Sequence, residues 1–224
     1  MNKFLNIAIT FLCFCLVIIP TSTALAKTET KEEVILEQEP IKLYYEDFIN
    51  EEELELEITN LLNDDSVSGV LVVHKNEKNP IYTSAFPIGQ WRNWKNGKIR
   101  YNGKKEDTFG STINTVAGDP GLTIQLDYKK AHSATYSGNF GLNATGITMA
   151  VGFSVTSSYE VSYKGSYKVP KKHNGKKVKR AQLNGKIVYA NHSYTVKSPS
   201  YPQGKTGTAK KPYGVYYQKN ITYK

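Results

Sequence analysis

The stretch ITMAVGFSVTSSYEVSYKGSYKVP, residues 147–170, decides how the chain is read. Ile147, Met149, Val151, Phe153 and Val155 alternate with Thr148, Ala150, Gly152, Ser154 and Thr156. The alternation continues in phase through Tyr159, Val161, Tyr163, Gly165, Tyr167 and Val169, and Pro170 stops it. A period of two is the mark of a strand with one buried face. The run far exceeds the usual strand of about 3–10 residues. It therefore reads as one long bent strand, or as two strands meeting at a bulge or sheet switch at Ser157-Ser158.

Working outward, Leu122, Ile124, Leu126 and Tyr128 alternate with Thr123, Gln125 and Asp127, which predicts a half-buried strand. Residues 131–140 carry a weaker pattern rich in Ser, Thr and Gly, and 140–146 reads as a turn region. Residues 186–190, 192–197 and 213–223 are further predicted strands, with a Pro/Gly/Lys loop over 198–212. The one helical period lies at 50–63. Asn50 is placed to cap it, with Glu53 three residues on, and Leu54, Ile58, Leu61 and Leu62 form one stripe. The expectation is a mainly β protein, an elongated antiparallel sheet or β-sandwich with one N-terminal α-helix.

At the start of the chain, Lys3 precedes an apolar run, Ile7–Ile19, then Pro20 and the small-residue sequence Ala24-Leu25-Ala26. This is the pattern of a secretory signal peptide over residues 1–26, and the run is too short for a spanning helix of about 20 residues. Both cysteines, Cys13 and Cys15, lie within it. The expected product is a secreted chain, extracellular or cell-wall associated, with neither disulfide nor thiol.

The formal charge of +9 conceals a division. Residues 27–65 hold 14 acidic residues and three lysines, 3 − 14 = −11; residues 66–224 hold 25 basic and six acidic residues, 25 − 6 = +19. The acidic part (27–65) reads either as a solvated helix on the body or as a pro-segment docked on the basic domain (66–224).

No catalytic constellation stands out. G-x-S-x-G and H-E-x-x-H are absent, and His74, His132, His173 and His192 are scattered, as expected of surface or turn residues. Lys205-Thr206-Gly207 matches a β-lactamase element, but its partner motifs are missing. The expectation is a non-enzymatic protein without cofactor or metal.

Three candidate sites remain. Lys171, Lys172, Lys176, Lys177, Lys179 and Arg180 surround Asn174-Gly175, as on the tip of a β-hairpin, and suit an anionic polymer or lipid surface. Lysine rather than arginine, with no base-reading motif, argues against sequence-specific nucleic-acid binding. Trp91 and Trp94 stand among Arg92, Lys95 and Lys98 in a predicted loop, where they suit an interfacial contact or core packing. Ile147, Met149, Val151, Phe153 and Val155 form the apolar face of a candidate membrane-facing strand.

The segment 151–170 with KKHNGKKV (171–178) resembles a recurrent segment of uncharacterised secreted Gram-positive proteins rich in Ser, Thr and Tyr. Its alternating Ser/Thr-rich strands also resemble the insertion hairpins of aerolysin-type β-pore-forming proteins. The first resemblance implies a secreted β protein. Together with the +19 body and the basic tip, it leads to the expectation of binding to an anionic cell-envelope or membrane surface. The second implies a β-pore-forming or antimicrobial protein with an acidic inhibitory segment, oligomeric only in that case.

Overall fold

The computed structural model describes residues 39–73 and 86–224. The candidate signal peptide, both cysteines and His74 lie outside the described residues. The described residues are mainly β, as expected, with two α-helices. Strands are β1 (Ile41–Tyr44), β2 (Gly69–Val73), β3 (Trp91–Trp94), β4 (Gly97–Gly118), β5 (Thr123–Ser133), β6 (Thr135–Tyr136), β7 (Ser158–Lys168), β8 (Lys172–His173), β9 (Lys176–Ser198) and β10 (Tyr201–Tyr223). The helices are α1 (Glu51–Asn63) and α2 (Ala144–Val151).

An eight-stranded sheet runs β1-β2-β10-β9-β4-β3, with β6 on β10 and β8 on β9. It is mixed rather than purely antiparallel, because β1 and β2 run parallel. β5 and β7 form a separate two-stranded sheet with an unbroken register from Thr123↔Lys168 to Ser133↔Ser158. β4 slips register against β9 four times, between Tyr101 and Asn114. Among the described residues, β3 covers the other side of β4 only from Gly97 to Arg100.

β9 and β10 hold 23 residues each, and the chain reverses between them at Pro199-Ser200. This corrects the reading of 198–212 as a loop. Residues 201–212 continue the β10 ladder, with the register broken near Gly204 and Pro212, where these residues fit least well.

α1 forms where its cap and stripe predict. Asn50 Oδ1 accepts from the Glu53 N–H at 2.9 Å, while the Glu53 carboxylate accepts from the Ile49 N–H at 2.8 Å, a capping box displaced by one residue. Leu54, Ile58 and Leu62 are fully buried, each worth about 1.5–3 kcal/mol. They join the main core with Leu126, Val161, Tyr167, Leu183, Val215 and Tyr217. The acidic helix is thus part of the core. It meets β7 at Gly165, where a methyl group would stand 2.8 Å from Ile58 Cγ2.

The largest departure from the sequence pattern lies in the stretch 147–170. From Ser158 onward it is the predicted strand, with Val161, Tyr163, Gly165 and Tyr167 buried. Residues 144–151 instead form α2, followed by a turn, so Ile147, Met149, Val151, Phe153 and Val155 do not form a strand here. Asn143 caps the helix, its side chain accepting from the Gly146 N–H at 3.0 Å, and Gly152 ends it at φ 81°, a left-handed conformation open to glycine. Gly146, Ile147, Ala150 and Val151 supply a buried helical face that the period of two had masked.

Candidate functional site

The three predicted sites separate in space along β9. At its start, β8 and β9 form the expected hairpin, and Asn174 (φ 50°) and Gly175 (φ 75°) give the two positive angles of a type I′ turn. Lys171, Lys172, Lys176, Lys177, Lys179 and Arg180 are all exposed. His173 is not part of this charged surface. It is buried, with Nδ1 2.7 Å from the Tyr223 hydroxyl.

At the other end of β9, the two tryptophans sit on a hairpin rather than in a loop, and they point to opposite faces of the sheet. Trp91 lies outside, with the Arg100 guanidinium 5.0 Å and the Lys197 ammonium 5.1 Å from its ring centre. Trp94 lies inside, against Gly146 and the second hydrophobic cluster, and its Nε1 donates to Asn143 Oδ1 at 3.0 Å.

The third site is the connection between β5 and β7, residues 134–157. It folds back on the large sheet through β6 and α2. Ala134, Leu142, Ile147, Ala150, Val151, Phe153 and Val155 pack on Ile99, Tyr101, Tyr194, Val196 and Ala209. Met149 is an exception at 40% exposure.

The β5–β7 register exposes a property of this connection that the sequence alone did not bring out. Each antiparallel pair sums to 291, as in Ser133↔Ser158. Continued inward, that register pairs Tyr136 with Val155, Gly138 with Phe153, Phe140 with Val151, Leu142 with Met149 and Ala144 with Ile147, all on one face. The other face pairs Thr135 with Thr156, Ser137 with Ser154, Asn139 with Gly152, Gly141 with Ala150 and Asn143 with Thr148, and Thr145-Gly146 remains as a two-residue turn. Each arm would be 11 residues long, against the roughly 9–11 that cross a bilayer as a strand. The signal was present in composition: residues 131–159 contain no Asp, Glu, Lys or Arg, in a chain that is 22% charged.

Two further buried ionisable groups were missed besides His173. His192, expected at the surface, is fully buried, its Nδ1 2.8 Å from the Tyr101 hydroxyl and its ring 5.2 Å from that of Phe153. Burial, reinforced by Lys104 and Lys211, pushes its pKa down to about 4. Lys219 is also buried, and its ammonium donates to the Leu62 and Asp64 carbonyls at 3.0 and 2.7 Å, closing the end of α1. Burial lowers its pKa to about 8, against a partial opposing pull from Asp65 and Asp64. Both positions carried a signal in the period of two: Lys219 stands in phase with Val215, Tyr217 and Ile221, and His192 with Tyr194 and Val196, so each is a polar residue on an apolar strand face.

No known protein family matches this chain, and no curated protein resembles it significantly. Among solved structures, the chain is similar to a candidate pore-forming toxin from Bacteroides vulgatus, with 9% identity and a TM-score of 0.29. The alignment spans 55% of each chain, so this chain corresponds to about half of that protein's length. A superposition that distant assigns neither a fold family nor an activity.

Proposed function

We propose that this is a secreted, non-enzymatic, membrane-acting protein in which residues 134–157 leave the large sheet and extend the β5–β7 pair as a transmembrane β-hairpin of an oligomeric pore. The observation that carries the reading is the continued register, which sorts the two 11-residue arms of an uncharged segment into an apolar and a small polar face. In the folded protein the large apolar residues other than Met149 lie in or against the second cluster, so for them insertion exchanges one apolar environment for another. The polar backbone of such hairpins needs closure into a barrel, which requires several copies. The basic hairpin at 171–180 attracts the protein to an anionic surface, at about 1 kcal/mol per cation near the membrane.

Release of dye from phosphatidylglycerol/phosphatidylcholine vesicles tests the proposal. Release that rises steeply with protein concentration is expected, and changing the six cations to Gln should weaken vesicle binding before it affects release by bound protein. Binding to anionic vesicles or cell walls without release would refute the pore and leave an adhesive protein held by 171–180. Binding unchanged by the six substitutions would remove the basic hairpin from the account.

A further inference from the structure

The end of the sheet farthest from the basic hairpin shows a second arrangement. Three segments meet there: the β3–β4 turn at Lys95-Asn96, the β9–β10 turn at Pro199-Ser200, and the loop before α2. Lys98 pairs with Lys197 across the strands, and Ser198 Oγ donates to the Phe140 carbonyl at 2.7 Å. A cleft of about 280 Å³ opens between Trp94, Lys95, Asn96, Gly141, Leu142 and Asn143. Tyr201, 38% exposed, stacks edge-on against Phe140 at 5.7 Å, and Ile88 is 67% exposed.

Charge is as one-sided as the aromatic content. Residues 86–105, 137–157 and 193–209, which build this end, contain eight Lys or Arg and no Asp or Glu. Among the described residues, no carboxylate pairs with Arg100 or Lys197, which are held instead over the Trp91 ring. An indole half-buried in a sheet and flanked by cations matches the water–lipid boundary, where Trp anchors and Lys or Arg meet phosphates.

We infer that this end, centred on Trp91, Arg100 and Lys197, is a docking surface for the headgroup layer of an anionic phospholipid bilayer. The inference rests on the reading of the protein as membrane-acting, but it concerns a different site from both the basic hairpin and the inserting segment. Docking here brings the membrane against the loop that Trp94 holds through Asn143, next to the residues proposed to insert.

Trp91 and Trp94 are the only tryptophans, so intrinsic fluorescence reads the site directly. Vesicles of phosphatidylglycerol and phosphatidylcholine are prepared with and without bromine on the upper acyl chain. Brominated vesicles should quench the full-length protein and W94F at least twofold, and W91F much less. R100Q/K197Q, which replaces a half-buried and an exposed cation on this face with side chains that still hydrogen-bond, should keep the parent melting temperature and bind about tenfold more weakly. A protein in which 134–157 is held to the large sheet by a disulfide should still be quenched, although it releases no dye. Unquenched tryptophan in protein that still binds through 171–180 would overturn the inference alone. So would R100Q/K197Q binding like the parent, or soluble polyphosphate shifting the fluorescence as vesicles do. Absence of any vesicle binding would overturn both this inference and the proposed function.

Discussion

Tethering the inserting segment should abolish pore formation while strengthening the fold. Thr135 and Lys210 are cross-strand partners in the β6–β10 ladder, and both are exposed. Antiparallel partners lie about 4.5–5.5 Å apart at Cα, within the roughly 4.4–6.8 Å that a disulfide spans. In a chain carrying Cys13→Ser and Cys15→Ser, the pair Thr135→Cys and Lys210→Cys can bridge only with each other. The bridge would close a loop of 210 − 135 = 75 residues. Loop-closure entropy then gives about 4.5 kcal/mol of stabilisation, before any strain is deducted. For a chain of this length that raises the melting temperature by roughly 10 °C. The assay is dye release from anionic vesicles with and without dithiothreitol, with bridging verified by mass spectrometry. The oxidised protein should bind vesicles and release nothing, and reduction should restore the parent rate. Release at the parent rate from fully oxidised protein would show that 134–157 does not have to leave the sheet, and would refute the argument.

Met149→Arg should leave the soluble fold within about 0.5 kcal/mol, because the side chain is already 40% exposed. It should nonetheless slow dye release, since a cation on the lipid face between interface and midplane costs about 1–2 kcal/mol. His192 has a folded pKa of about 4, below its ordinary 6.5, so the native state binds fewer protons than the unfolded chain between these values. The contribution of His192 to stability is therefore complete above pH 6.5 and falls by up to about 3 kcal/mol toward pH 4; His192→Gln should flatten that part of the melting profile. Lys219, lowered to about 8 from 10.5, gives the same sign at higher pH: stability should climb from pH 8 to 10 in the parent and not in Lys219→Met. Gly165→Ala forces a methyl group against Ile58 and should cost about 1–3 kcal/mol in denaturant titration.

The sequence revealed the fold class where one periodicity acted alone. β5, β7 and α1 each carry a single pattern, and each formed where that pattern placed it. Residues 144–157 carry two patterns at once. Ile147 and Val151 serve both a strand face and a helix face, and the contest is decided locally by the Asn143 cap and the left-handed Gly152. Residues 201–212 failed as a prediction for the opposite reason. Their Pro and Gly signal a loop, yet pairing with β9 on one side overrides local preference and confines the misfit to register slips. Of the candidate sites, the basic hairpin was legible because Asn-Gly fixes its turn. The division of the tryptophans between two faces was not, because it required knowing that residues 91–94 are extended. The two-faced hairpin could be recognised only once β5 and β7 were seen to be paired, since pairing supplies the register that turns two ordinary segments into one amphipathic object.

The buckled course of β4 bears on how the molecule behaves when crowded. A flat ribbon with a bare rim offers each sister molecule a continuous row of amide partners, the route by which sheets stack into fibrils. Here the rim is crumpled four times within about fourteen residues, so few consecutive bonds could align before the next fold throws donors and acceptors out of step. Among the described residues, the margin of β4 beyond Arg100 is therefore poorly matched to edge-to-edge pairing with a sister molecule.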